Sequence, residues 1–188
     1  MKSPGVKWIA FCGLMLVMLL LGSILVDVIR VRNRHHHRFE ASYGGPTGVF
    51  TIQNPDQIEV YRLAPPKVEN LAHWQELESY RVQSGPITLS DSEKQQVSLV
   101  LGTEANLLYD MLPGCRPSYE IRFHFVKDNQ NLNLLVCLQC NMVLFFQDDR
   151  YLDTASLLTN SAKLLEICFN LWPDDPAIQG LKKHKNSR

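Results

Sequence analysis

Hydrophobic positions change their spacing along the chain, and the changes mark the elements. The first apolar run has no period. Residues 9–26, IAFCGLMLVMLLLGSILV, carry no charge. As a helix that run rises about 27 Å, and extension to Ile29 covers the ~30 Å of a bilayer core. It predicts an N-terminal transmembrane helix over residues 1–29, single-pass, with membrane lipid as its partner. It is longer than the apolar part of a cleaved signal peptide, and no A-x-A pattern follows it. Lys2 and Lys7 precede the run and Arg30, Arg32, Arg34 and Arg38 follow it. That balance leans towards a cytoplasmic C-terminal domain but leaves the side of the membrane open.

Beyond the anchor the pattern turns amphipathic. Ile58 and Val60 alternate with Glu59 and Tyr61 in QIEVYRLAPP, a strand ended by Pro65 and Pro66, with Arg62 falling on the apolar side. YRVQSGPITLS, Tyr80 to Ser90, reads as a second extended stretch with a turn or bulge at Gly85-Pro86. Ser90 and Glu93 have capping-box spacing, Val97, Val100 and Leu101 share one helix face, and Gly102 is a stop. Glu104 to Leu112 reads as further helical turns.

Ile121, Phe123 and Phe125 then alternate with Arg122, His124 and Val126, and KDNQN supplies turn residues. The segment that follows, Leu132 to Phe146, is apolar on both faces. Such a strand is central and covered on both sides, or it is interrupted at its cysteines. Asp148-Asp149 reads as the loop after it. A helix capped by Asp153 or Thr154 and carrying Leu157, Leu164, Leu165 and Cys168 ends at Pro173, and Asp174-Asp175 caps a terminal turn.

Strands paired through short loops, with no β-α-β alternation, predict an α+β fold. The expected form is an antiparallel sheet of about four strands with two to three helices packed on it, behind the transmembrane helix. The domain reading is residues 1–29 as anchor, 30–53 as a basic and histidine-rich juxtamembrane segment with a Gly-rich linker, 54–181 as the α+β domain, and 182–188 as a basic tail.

Composition narrows the functional classes. The formal net charge is zero, 45% of residues are hydrophobic and 20% charged. A nucleic-acid binder would show a basic domain, so none is expected. Phosphate-loop, nucleotide-fingerprint, G-x-S-x-G and H-E-x-x-H patterns are absent. His35, His36 and His37 are consecutive and do not share a helix face, so they read as part of a basic segment near anionic head groups.

The remaining chemistry lies in Cys115, Cys137 and Cys140. The leading reading is structural sulfur: buried thiols, or one disulfide from Cys115 to a member of the C-x-x-C pair. A zinc site is the second, with Cys115, Cys137 and Cys140 as ligands and His124 or Cys168 as the fourth. Thiol-disulfide exchange is the third, because a catalytic C-x-x-C usually opens a helix and this one sits in strand-like sequence.

Four stretches, GPITLSDSEKQQVSLVL, GCRPSYEIRFHF, LLVCLQCNMVLFF and LLEICFNLWPDDPAIQGL, together resemble a family of uncharacterised bacterial membrane-anchored or exported proteins. The resemblance covers Tyr61 to Leu181 and rests on Gly85 and Pro86, Cys115 and Pro117, Cys137 and Cys140, and Pro173 to Pro176. It implies that the three cysteines act together and that the chain belongs to a bacterial cell envelope. It supplies no catalytic residues. The functional expectation is a membrane-tethered, non-enzymatic binding or assembly module for a protein partner, with structural cysteines and no cofactor. The alternative is a small metal-binding or thiol-redox protein using the same cysteines.

Overall fold

The structure, a computed structural model, describes residues 4–64, 73–111, 117–158 and 161–185. Within the helices, the side chains of residues 4–14, 17, 161 and 182–185 are not described. The chain divides into two units, Met1–Arg38 and Phe39–Arg188.

The first helix, α1 (Pro4–Ser42), accounts for most of the first unit. The transmembrane expectation is corrected here, and with it the single-pass membrane location. Among the described residues no helix is long and apolar enough to cross a membrane. The apolar stretch whose side chains are described, residues 15–26 without 17, reaches Asp27 after about 18 Å of helix, against ~30 Å of hydrocarbon. The helix then continues unbroken through Arg30, Arg32, Arg34 and the three histidines.

Among the described residues the second unit has seven strands, β1 (Gln57–Leu63), β2 (Val82–Thr88), β3 (Leu107–Leu108), β4 (Ile121–Lys127), β5 (Gln130–Cys137), β6 (Met142–Gln147) and β7 (Arg150–Leu157). They form one sheet in the order β2-β1-β4-β5-β6-β7-β3, antiparallel at every pairing. The helices are α2 (Pro46–Gln53), α3 (Asp91–Leu101), α4 (Ser161–Leu171) and α5 (Pro176–Lys185), which with α1 makes five among the described residues.

A sheet of about four strands was expected, and the difference has three physical sources. The apolar run from Leu132 to Phe146 is two strands, joined by a turn over residues 138–141 in which Asn141 takes a positive φ of 54°. Asp153 and Thr154, expected to cap a helix, lie inside β7, and Asp148 at φ 52° makes the preceding hairpin turn. Glu104 to Asn106 forms a single 3-10 turn that delivers Leu107 and Leu108 to the sheet edge.

The Gly-rich linker is also corrected, since Pro46–Gln53 is helix α2. Gly45 stands before it at φ 105°, with Pro46 in its first turn. Gly48 packs so closely on the Tyr43 carbonyl that a Cβ there would collide with it. These residues serve a tight turn and a close approach. The core accordingly starts at Phe39 and Tyr43 rather than near Asn54.

Both sheet faces are covered across the centre. On the helix side, Ile58, Val60, Phe123, Phe125, Leu134 and Phe145 pack with Ile52, Val97, Leu101, Leu164 and Ile178. On the outer side, Leu63, Leu135, Cys137, Met142, Leu144 and Phe146 pack with Leu77, Tyr80 and Tyr119 from the connecting segments. Ser90 forms the expected capping box with Glu93, and Gly102 follows the last turn of α3.

Two outcomes follow for stability. Phe123 is fully buried, so Phe123→Ala should cost about 3–5 kcal/mol in urea-induced unfolding. Ser90→Ala should cost about 1 kcal/mol in the same measurement.

Candidate functional site

The two cysteines of the C-x-x-C pair bracket the β5–β6 turn. Cys137 is the last residue of β5 and Cys140 lies within the turn. Cys137 is buried and free, whereas Cys140 is disulfide-bonded. Cys115, the third expected member, lies outside the described residues. Cys168 is also buried and free, but it packs in the cluster on the helix side of the sheet while Cys137 packs in the outer one. The sheet therefore separates these two thiols.

Backbone donors converge on the Cys137 sulfur. The N–H of Cys140 donates to it at 3.3 Å, and the backbone at Ser118 and Gln139 also favours its ionised form. A concentration of backbone N–H groups favours a sulfur anion. Burial and the charge of Glu120 outweigh that, and the thiol is pushed up to about 11.

His124, the expected fourth ligand, stands elsewhere. It pairs with Asn133 across β4 and β5, and its Nδ1 lies 2.9 Å from Asn133 Oδ1. Asn133 is four residues from Cys137 along β5, or about 13 Å. Among the described residues no group of three His, Cys, Asp or Glu is placed to hold a metal ion. The expected zinc set of Cys115, Cys137, Cys140 and His124 is thus not brought together where it is described, and the Cys140 sulfur is already committed to a disulfide.

The groups that do surround Cys137 were not singled out in the sequence. Ile121 pairs with Val136, and the N–H of Glu120 also donates to the Val136 carbonyl, at 3.1 Å. Two residues against one is a bulge arrangement, which re-aims a side chain. The Glu120 carboxylate accepts the N–H of Leu138, the residue after Cys137, at 3.1 Å. Burial raises this carboxyl from its ordinary 4.5 to about 7, against the pull of that N–H and of Arg62.

Arg62, which alternation placed on the apolar face, is buried with 3% exposure. Its Nε donates to Asp175 Oδ2 at 2.8 Å, and an Nη donates to the carbonyls of Leu63 and Glu120. Asp175 in turn accepts the N–H groups of Ala177 and Ile178 at the start of α5. Burial works against its ionisation, but the Arg62 guanidinium and those two N–H groups hold its carboxyl below the usual range.

Further along the outer face, cover by the connecting segments gives way to polar rows. Glu59, His124 and Asn133 are register partners in one row, and Tyr61 and Arg122 in the next. The Tyr61 hydroxyl donates to Glu59 at 2.6 Å. The Arg122 guanidinium stacks 4.0 Å from the Tyr61 ring centre, and its buried Nε has no hydrogen-bond partner among the described residues.

The raised Glu120 carboxyl has a definite consequence for stability. Its folded pKa lies above its ordinary value, so the folded state holds the proton more tightly. Its contribution is present in full below about 4.5 and is lost as pH rises to about 7. The loss is on the order of 3 kcal/mol. Glu120→Gln should flatten this slope in unfolding curves taken between pH 4.5 and 7.5. Removing Arg62 from its buried pair, as in Arg62→Met, leaves the Asp175 charge without its partner and should cost about 3–5 kcal/mol in urea-induced unfolding.

Comparison with known proteins finds no matching family model, no matching curated protein and no matching solved structure.

Proposed function

We propose that the chain is a non-enzymatic binding module, and that its partner docks through an acidic segment on the polar part of the outer sheet face. The disulfide at Cys140 fastens the β5–β6 turn beside that surface.

The observation that carries this reading is Arg122. A guanidinium presents a planar fork of donors suited to a carboxylate. Here it is oriented by stacking on Tyr61, and its Nε has no acceptor among the described residues. The side chain as a whole is only partly covered, so the outer donors of the fork can meet a partner carboxylate. Arginine and tyrosine are also the side chains most enriched where binding energy concentrates. Glu59 occupies the Tyr61 hydroxyl and Asn133 occupies His124, so the neighbours hold the platform in place and leave Arg122 as its reactive point.

The test is titration of the full chain with acidic peptides, followed by NMR and calorimetry. The amide signals of Tyr61, Arg122 and His124 should shift together. Arg122→Lys should weaken binding about tenfold, equivalent to ~1.4 kcal/mol, because it keeps the charge and loses the fork. Binding that leaves those signals in place, or that is unchanged in Arg122→Lys, would overturn the reading.

A further inference from the structure

Thr51 and Thr103 send their hydroxyls to the carbonyl four residues back, on Thr47 at 3.0 Å and on Leu99 at 2.7 Å. Ser98, in α3, makes no such bond. It is 7% exposed, and its Oγ has no hydrogen-bond partner among the described residues. A buried hydroxyl of this kind costs stability unless something else meets it. Ser98 lines a cleft of about 410 Å³ formed by the end of α2 and the flank and end of α3. That volume lies within the ~300–1,000 Å³ usual for small-molecule sites.

The lining follows from helix geometry. Asp91, Lys94, Gln95 and Ser98 are spaced three and four apart, so they share one side of α3. Gln53, Asn54 and Pro55 bring the end of α2 to the same cleft. Gln53 Nε2 donates to the Gly102 carbonyl at 2.9 Å, which fastens the two helix ends together and leaves the Gln53 oxygen as an acceptor. The charges in the lining cancel. Lys94 lies 3.0 Å from Asp91, and it also donates to the Asp56 carbonyl at 3.1 Å. Leu99, 58% exposed, and Pro55 add apolar surface.

We infer that this cleft binds a neutral saccharide. A sugar hydroxyl donates and accepts at one atom, which matches side-chain amides and a serine hydroxyl, themselves able to do both. The CH edges of the ring suit Leu99 and Pro55. An anion would find Lys94 already engaged, and a cation would find Asp91 already paired. A serine side chain has three staggered positions about χ1, so the Ser98 hydroxyl can turn to a ligand seated in the cleft. Ile52 and Val97, next in sequence to Gln53 and Ser98, pack on the helix side of the sheet, whereas Arg122 lies on the outer face. The cleft is therefore independent of the Arg122 surface, and either reading can fail without the other.

The experiment titrates the full chain, followed by NMR, with maltose, with N,N′-diacetylchitobiose and with a neutral Ala-Ser-Ala peptide blocked at both ends, each raised to millimolar concentration. At least one sugar should shift the amide signals of Gln53, Gln95, Ser98 and Leu99 saturably and leave those of Tyr61 and Arg122 in place. Ser98→Ala should weaken that binding about fivefold and raise the urea midpoint, because it removes an unmet buried hydroxyl. A merely structural hydroxyl would do the reverse: the midpoint would fall and the affinity would stay. Gln95→Ala, at an exposed position, should also weaken binding and leave the urea midpoint unchanged. The inference is overturned if neither sugar shifts the cleft signals, if only the peptide does, or if Ser98→Ala and Gln95→Ala bind as the wild type does.

Discussion

The burial of β5 and β6 on both faces is the constraint on which the rest depends. Leu134, Val136, Val143 and Phe145 face the helices, while Leu135, Cys137, Leu144 and Phe146 face the outer cover. A strand pair in that position has no solvent face on which to place polar side chains, so its sequence becomes continuously apolar. Any polar group carried into this layer meets low dielectric. That single condition raises the Cys137 thiol and the Glu120 carboxyl and makes Asn133 seek both His124 and the Asp148 carbonyl.

Arg62 tolerates the same layer because its donors are engaged. Its side chain ties β1 to the carbonyl before β4 and, through Asp175, to the first turn of α5. A buried pair of this kind does not outperform apolar packing, but it is intolerant of losing one member. It therefore acts as a positional lock: α5 can dock only where Asp175 reaches Arg62. The same arginine lies close enough to Glu120 to temper its protonation, so the lock of the terminal helix and the electrostatics of the cysteine corner share one residue.

The legible parts of the sequence were those in which local chemistry and tertiary position agree. Ser90 and Glu93 cap α3 as their spacing requires, strand β4 follows strict alternation, and Asp175 caps α5. The β5–β6 boundary was harder because its turn residues are Leu138, Gln139, Cys140 and Asn141. Only Asn141 carries a conventional turn signal, so two strands read as one. Strand β7 was hidden for the opposite reason. Its Asp153 and Thr154 resemble a helix cap, yet they are spent on Ser42 and on the Val143 carbonyl. Glycines 44, 45 and 48 looked like slack and turned out to be geometry. Glu120 could not have been picked out, since alternation gives the face of a residue and says nothing of its depth or of the bulge that redirects it.

Cover on the outer face divides the sheet into a buried part and a partly open one. Along β1, β4 and β5 the cover from residues 77–80 and 119 lies over Leu63, Leu135 and Cys137 and leaves Glu59, Tyr61 and Arg122 only partly covered. Where the cover is complete, titratable groups such as Cys137 are desolvated. Where it is partial, a stacked guanidinium keeps access to a ligand. Arg122 and Leu135 are register partners at the boundary between the two regimes. The polar rows are built from ladder pairs within the sheet itself, Glu59 with His124 and His124 with Asn133, so the sheet alone fixes their spacing.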